Sequence, residues 1–369
     1  MKKLANSTSF MSISKIGVPC ICILLLLSYV SIVYSQICDE VYVVAWSPDG
    51  AFIAVSGSEA SCDTRDVSSL GIRIFDAETG VVVKYLQGAN RRANGLDWSS
   101  DGSKLVSFNS AAGIVYIWDV ASEQLLITEP LNSQGITLAR WQPDTDLIAF
   151  GTPSNSIIFF DTTNQSEVTS QIAGTTLDWS PDGTQMVTGS IYDYLLIIWD
   201  VSTQQQITSF NQNSASSYRV EWSPDGSKIL SSLTDNQALI WDFASEQLLR
   251  TIHVDDLVNA HWSPDSNKIA TVSLDGTIQV WDANSGYLLD TILGSAPTYD
   301  VAWNPDGSQL AYYLPDNDTI IVANPEVVSP TPTPDPTHTP PPTPSFGKIA
   351  YSSNVTVSIG GMIYQHPWF

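Results

Sequence analysis

Residues 222–242 read WSPDGSKILSSLTDNQALIWD, and this stretch decides the fold. Proline presets the φ angle of the second turn position and glycine accepts a positive φ, so the segment from Trp222 to Gly226 predicts a tight turn. Short runs rich in β-forming residues lie on both sides of the turn and continue beyond Trp241. The stretch and its flanks therefore predict four short strands, at residues 218–221, 228–231, 238–241 and 246–249.

The same pattern occurs seven times along the 369-residue chain. A tryptophan followed by a turn recurs at intervals of 38 to 52 residues, at Trp46, Trp98, Trp141, Trp179, Trp222, Trp262 and Trp303. An aromatic residue followed by aspartate closes the first six units, and Ala323-Asn324 stands in that place in the seventh. A repeat of this length predicts an array in which each unit buries its apolar faces against its neighbours.

These residues resemble the WD-repeat β-propeller family over about residues 41–324. The resemblance implies an all-β fold, a seven-bladed β-propeller with four-stranded antiparallel blades, because radial stacking buries both faces of each blade. It also implies a structural tetrad of hydrogen-bonded side chains in each blade. Only the sixth unit matches that tetrad in full, at His253, Ser273, Asp275 and Trp281.

The segments outside the repeats differ in composition. Residues 1–35 combine a basic start, an apolar run over 16–33 and small residues before Gln36, which predicts a signal peptide; an uncleaved signal anchor is the alternative. We therefore expect a secreted or extracytoplasmic protein, in contact with a membrane only if the segment is retained. The predicted propeller spans residues 36–328, and a Pro/Thr-rich linker follows at residues 329–346. Residues 347–369 form a short β-like tail. This tail resembles a TolB-like propeller repeat, and one interpretation is that it is a truncated repeat.

Two features near the start of the propeller lead to further expectations. Cleavage before Gln36 leaves Cys38 and Cys62 as the two cysteines, and an oxidising compartment predicts a disulfide between them. The closure of the ring has two alternatives. Residues 326–328 are a short candidate for the last outer strand, while residues 32–34 are in the register of an outer strand but would be lost on cleavage.

Charge and motif content exclude several classes of function. The chain has 15 Lys and Arg against 38 Asp and Glu, a formal charge of −23, so it lacks the basic surface that nucleic acids require. The sequence has no nucleophile-elbow, phosphate-loop or zinc-ligand spacing. We therefore expect a non-enzymatic protein with no metal and no cofactor.

The residue before each turn tryptophan is polar in five of the seven units: Asp97, Arg140, Asp178, Glu221 and His261. Alternation along a strand puts these side chains on one face of the innermost strand, beside the central channel. One interpretation is a polar channel that holds an ion or a small ligand. The other, which we favour, is that the acidic groups pair with Arg140 and His261 or bind water.

A second set of residues marks the end of the ring where the inner strands begin. It comprises Tyr42, Arg92, Asn94, Tyr192, Tyr218 and Tyr299. Tyrosine and arginine are enriched in protein interfaces, although tyrosine is also a good strand former that packs on its neighbours. The expected function is a monomeric, non-catalytic interaction scaffold that binds a protein or peptide; the alternative is a small-ligand-binding or enzymatic propeller that uses its channel.

Overall fold

The computed structural model describes residues 43–57, 71–89, 93–130, 135–168, 170–212, 215–293, 298–314, 319–323, 358–359 and 362–363. This part of the chain consists of strands joined by turns, and none of it is a helix that could cross a membrane. The expected signal segment and linker, and four of the residues singled out above, Cys38, Tyr42, Cys62 and Arg92, lie outside it.

Each of the first six repeats folds into a four-stranded antiparallel blade whose strands follow one another in chain order. Blade one contains β1 (Val43–Trp46), β2 (Phe52–Gly57), β3 (Gly71–Asp76) and β4 (Val82–Leu86). Blade two contains β5 (Gly95–Trp98), β6 (Lys104–Asn109), β7 (Ile114–Asp119) and β8 (Gln124–Pro130). Blade three contains β9 (Leu138–Trp141), β10 (Leu147–Gly151), β11 (Ile157–Asp161) and β12 (Ser166–Val168).

The next three blades repeat this order. Blade four contains β13 (Thr176–Trp179), β14 (Gln185–Gly189), β15 (Leu195–Asp200) and β16 (Gln205–Asn211). Blade five contains β17 (Ser217–Trp222), β18 (Lys228–Leu233), β19 (Gln237–Asp242) and β20 (Leu248–His253). Blade six contains β21 (Leu257–Trp262), β22 (Lys268–Ser273), β23 (Ile278–Asp282) and β24 (Leu288–Ile292).

The seventh repeat departs from the expected four strands. It forms a three-stranded sheet, which we call the seventh sheet, from β25 (Val301–Trp303), β26 (Leu310–Leu314) and β27 (Thr319–Ala323). The expectation of seven four-stranded blades is therefore wrong for the described residues, which contain six. Pro325 follows β27 almost at once, and proline lacks the N–H that a strand needs to continue a ladder. A separate pair, β28 (Ser358–Ile359) and β29 (Met362–Ile363), lies in the tail.

The repeated turns stabilise themselves through side-chain hydrogen bonds. The Ser47 hydroxyl donates to Asp49 Oδ1 at 2.6 Å and accepts the Phe52 N–H at 2.9 Å, and Gly50 closes the turn at a φ of 72°. The same serine–aspartate bond recurs from Ser99, Ser180, Ser223 and Ser263. The Trp-Ser-Pro-Asp-Gly pattern is thus a self-contained turn, as the sequence predicts.

Four of the seven tryptophans that precede the turns, Trp46, Trp98, Trp179 and Trp303, link neighbouring sheets through their indole N–H. The indole Nε1 of Trp98 donates to the carbonyl of Ala45 in blade one at 3.2 Å, and Trp179 reaches Arg140 in the same way at 3.3 Å. Trp46 donates to Ala302 of the seventh sheet at 3.1 Å, which closes the ring. The buried apolar side chains form clusters that each combine neighbouring sheets, so the core lies between the blades.

The alternation of strand direction gives the ring two distinct ends. All seven inner strands, from β1 to β25, start at the end that we call the entry face. The turns that follow the tryptophans occupy the opposite end, which we call the turn face. The entry face also carries the connection between the second and third strands of each blade, because antiparallel strands bring it back to that end.

Candidate functional site

The central channel brings together the polar residues that precede the turn tryptophans. Asp97, Arg140, Glu221 and His261 line one cavity of about 580 Å³, and Asp178 is an ion-pair partner of Arg140. The cavity extends from Asn94 and Tyr299 near the entry face to Pro224 and Pro264 in the turns. It therefore runs along the inner strands rather than forming a shallow depression at one end.

Three further polar residues of the channel were missed from the sequence: Arg219, Asn259 and Asp300. Each lies three residues before a turn tryptophan. Side chains two positions apart in a strand share a face, so these residues face the same side as those immediately before the tryptophan. Extending the alternation by one more step would have identified them.

The cationic side chains of the channel are mostly paired. Arg140 Nε lies 3.9 Å from Asp178 Oδ1. His261 lies between two carboxylates, with Nδ1 at 3.5 Å from Glu221 Oε2 and Nε2 at 3.0 Å from Asp300 Oδ1. Asp300 also accepts a bond from Asn259 at 2.9 Å. Asp178 and Glu221 thus have Arg140 and His261 as charge partners, whereas Asp97 forms no ion pair in the described chain.

The carboxylates of the channel also hold neighbouring blades together. Asp97 Oδ2 accepts the backbone N–H of Trp141, and Asp178 Oδ2 accepts that of Trp222, both at 2.7 Å. Glu221 Oε2 accepts the N–H of Trp262 at 3.2 Å. Each of these bonds joins one blade to the inner strand of the next. Much of the channel's polarity thus has a structural role.

Burial shifts the pKa values of these groups. Burial raises the pKa of Asp178 to about 7, with Arg140 opposing the shift and Glu221 adding to it. Burial also raises the pKa of Asp97, against the attraction of Arg140. Burial and the nearby Arg219 would lower the pKa of His261, but Glu221 and Asp300 raise it above its ordinary value. The channel is therefore a desolvated set of interacting charges.

Two groups in the channel have fewer charge partners than the rest. The Nε of Arg219 is buried without a hydrogen-bond partner. Asp97 has its bond to Trp141, but no cationic group of the described chain lies within 4.0 Å of it. Within the described residues, no group of three or more His, Cys, Asp or Glu side chains is arranged to hold a metal ion.

The proposed partner-binding residues have different surroundings. Tyr218 is half-buried, and its hydroxyl donates to the carbonyl of Leu257 in blade six at 2.9 Å, so it packs between blades. Asn94 accepts the N–H of Ser110 at 2.8 Å, and Tyr299 lines the channel cavity. Tyr192 is 64% exposed, although its hydroxyl donates to Pro153 at 2.7 Å. Of these, Tyr192 presents the most surface to a partner.

The entry face exposes three more large apolar side chains that the sequence pattern did not single out. They are Tyr194 (52% exposed), Leu274 (51%) and Leu293 (80%). Tyr194 and Leu274 lie in connections between second and third strands, and Leu293 follows β24. The length and composition of these connections vary from repeat to repeat, so their exposed residues could not be predicted from the periodicity.

The expected tetrad of blade six is not assembled. The Trp281 indole donates to Thr271 Oγ1 at 2.9 Å, not to Ser273, and His253 is exposed. Among the described residues no hydrogen bond links His253, Ser273, Asp275 and Trp281 to one another. Trp281 pairs across the ladder with Ile269, so Thr271 is its diagonal neighbour, while Ser273 lies two residues farther along the strand.

Comparisons with known proteins agree with this architecture. Residues 31–64 and 246–282 match the family model described as WD domain, G-beta repeat, and residues 132–260 match that described as eukaryotic translation initiation factor eIF2A. A chain in the crystal structure of the Mitotic Checkpoint Complex matches with a TM-score of 0.64 at 21% identity, covering 76% of this chain and 88% of its own. That match supports the propeller fold.

Two relatives are similar over part of the chain. WD repeat-containing protein 1 of Gallus gallus is 26% identical over 239 residues, which are 60% of this chain and 36% of that protein. WD repeat-containing protein slp1 of Schizosaccharomyces pombe is 24% identical over 226 residues, 57% of this chain and 42% of that protein. The chain thus spans less than half the length of these relatives.

Proposed function

We propose that this propeller is a non-catalytic scaffold whose entry face binds a protein or peptide. The observation that carries the proposal is the set of four exposed large apolar side chains on that face: Tyr192, Tyr194, Leu274 and Leu293. Tyrosine is enriched among the residues that dominate binding energy, and burial of the leucines removes apolar surface from water. The similarity to WD-repeat proteins, including a chain of a multiprotein complex, supports the same role.

The geometry favours the outer part of the entry face over its centre. Tyr218 and Asn94 already form hydrogen bonds within the chain, so a partner would gain less from them. Tyr192 and Tyr194 lie in one connection of blade four and keep most of their surface in water. We therefore place the main contact on this connection, with Leu274 and Leu293 of blade six as a second region.

We also propose that the scaffold acts outside the cytoplasm. The support is the basic start, the apolar run over residues 16–33 and the small residues before Gln36. An acidic protein with a formal charge of −23 would remain soluble there and would not bind polyanions.

Site-specific photo-crosslinking tests the proposed face. A photoreactive phenylalanine analogue replaces Tyr192 in one variant and Tyr287 in another; Tyr287 is 70% exposed and lies in the turn between β23 and β24, on the turn face. We expect a discrete protein adduct from position 192 in the protein's native surroundings and none from position 287.

A pair of substitutions then tests the residues themselves. The double variant Tyr192→Ser, Tyr194→Ser should lose the crosslinked partner in co-purification, while Tyr287→Ser should retain it. Both variants should melt close to the parent, because the three side chains are largely exposed. Equal capture by the double variant and the parent would exclude this face.

A further inference from the structure

The channel contains one cationic group, the Arg219 guanidinium, that forms no ion pair within the described chain. Arg140 has Asp178, and His261 has Glu221 and Asp300. No carboxylate of the described chain lies within 4.0 Å of the Arg219 guanidinium, and its Nε is buried without a hydrogen-bond partner. A buried guanidinium nitrogen without a hydrogen-bond partner is costly, so this position gains from an added acceptor.

The channel also contains one carboxylate, Asp97, that forms no ion pair within the described chain. Asp97 uses Oδ2 to accept the N–H of Trp141. The other acids of the channel have a positively charged or ionisable neighbour within 4.0 Å, but Asp97 has none in the described part of the chain. Burial raises the pKa of Asp97 although Arg140 and Arg219 oppose the shift, and burial with Arg140 lowers the pKa of Arg219 although the channel carboxylates oppose it.

Asp97 and Arg219 face the same cavity from opposite sides. Asp97 belongs to blade two and Arg219 to blade five, which are three sheets apart in a closed ring of seven. The cavity of about 580 Å³ lies between them. That volume is within the range of small-molecule sites, roughly 300 to 1,000 Å³.

The charges decide which chemical class fits. An anion on Arg219 would leave Asp97 unmatched and would add to four channel carboxylates: Asp97, Asp178, Glu221 and Asp300. A simple cation on Asp97 would leave Arg219 unmatched. We infer that the channel is a binding site for a small zwitterion, an amino acid whose carboxylate contacts Arg219 and whose ammonium group contacts Asp97. Asn94 and Tyr299 line the same cavity nearer the entry face, on the path by which such a molecule would enter.

This site is independent of the proposed protein-binding face. Its residues lie inside the ring, whereas Tyr192 and Tyr194 are exposed at the entry face. The double variant Tyr192→Ser, Tyr194→Ser should therefore bind the zwitterion as the parent does. Failure of one proposal leaves the other in place.

A series of ω-amino acids from glycine to 6-aminohexanoate tests the inference, because the distance between their charges increases stepwise. We expect isothermal titration calorimetry on the full chain to show one site, with affinity that peaks at one chain length. Acetate, inorganic phosphate and butylamine, which carry only one kind of charge, should bind at least about tenfold more weakly, because each makes one of the two charge-assisted contacts.

Variants of the two residues complete the test. Arg219→Gln and Asp97→Asn should each weaken binding of the preferred zwitterion by about tenfold or more. Arg250→Gln and Asp255→Asn are matched controls on exposed side chains and should bind as the parent does. If Arg219→Gln fails to fold, Asp97→Asn decides the outcome, since an amide oxygen still accepts the Trp141 N–H. No binding by any member of the series, equal binding of acetate or phosphate, or unchanged binding by the folded variants would overturn the inference.

Discussion

The Asp178 carboxylate of blade four accepts the backbone N–H of Trp222 in blade five at 2.7 Å, across 44 residues of sequence. Asp97 and Trp141 repeat this relationship between blades two and three, at the same distance and the same separation. A side chain that faces the channel therefore also fixes the inner strand of the following blade. The stability of the ring and the polarity of its channel depend on the same residues.

The first prediction follows from this double role. Asp178→Ala leaves the Trp222 N–H without an acceptor, so at a pH below the raised pKa of Asp178 it should lower the free energy of unfolding by about 1–3 kcal/mol. Urea unfolding measures the loss. The control, Asp255→Ala, removes an exposed carboxylate and should stay within about 0.5 kcal/mol of the parent. Equal losses in the two variants would contradict the prediction.

The second prediction concerns pH. Burial raises the pKa of Asp178 to about 7 in the folded chain, against an ordinary value of 3.8, so the folded state holds this proton more tightly than the unfolded state. The stabilisation from Asp178 is therefore complete below about pH 4 and is lost as the pH rises to about 7. The free energy of unfolding of the parent, measured against that of Asp178→Asn, should fall over this interval by an amount on the order of a few kcal/mol. A flat difference would contradict the prediction.

Asp101 provides a control of opposite sign. Hydrogen bonds from Ser99 and from the backbone and side chain of Ser103 lower its pKa to about 2. Its stabilisation is present above about pH 4 and is lost as the pH falls towards 2. Asp101→Asn should therefore change the acid side of the stability profile and leave the interval between pH 4 and 7 unaffected.

The local structure of this protein could be predicted well from the sequence alone. The turn after Trp222 and the first three predicted strands occur in the structure as β17 to β19, whereas the fourth, β20, begins two residues later and ends four residues later than predicted. Local signals suffice here because each hairpin depends on residues only a few positions apart.

Contacts between blades were harder to predict. The half-buried position of Tyr218 depends on Leu257, 39 residues later, and the charge partners of His261 come from two different sheets. Periodicity puts a side chain on a face of a strand but does not say which neighbouring blade meets it. Ring closure joins distant parts of the chain in the same way, so periodicity could not predict that the described residues of the seventh sheet form three strands.

The third prediction is cleavage before Gln36, from the small residues at positions 33 and 35 after the apolar run. Intact-mass measurement of the exported protein should give a chain that starts at Gln36. A mass that includes residues 32–34 would exclude this cleavage site and would favour the closure in which that segment completes blade seven.

The fourth prediction is a disulfide between Cys38 and Cys62 in the exported protein. A bridge of this loop length stabilises a fold by about 2–4 kcal/mol, because it restricts the unfolded chain. Thiol titration of the denatured, unreduced protein should detect no free thiol, and reduction should lower the melting temperature. Two titratable thiols in that sample would contradict the pairing.

The last prediction separates the hydrogen bond seen in blade six from the tetrad expected by resemblance. Trp281 donates to Thr271, and Trp199 of blade four donates to Thr188 in the same way, both at 2.9 Å. Thr271→Val keeps the shape of the side chain but leaves the indole N–H without its acceptor, so it should cost about 1–2 kcal/mol of unfolding free energy. His253→Ala removes an exposed side chain and should cost less than about 0.5 kcal/mol.

Thr188→Val is the equivalent substitution in blade four, and its loss of unfolding free energy should be similar to that of Thr271→Val. Chemical denaturation of the three variants gives the comparison directly. In a functioning tetrad, His253 would hold the hydrogen-bonded chain together, and its removal would cost at least as much as the loss of the threonine hydroxyl. If His253→Ala loses as much unfolding free energy as Thr271→Val, or more, the result would support the tetrad and contradict the prediction that the Trp281–Thr271 bond is the main contribution.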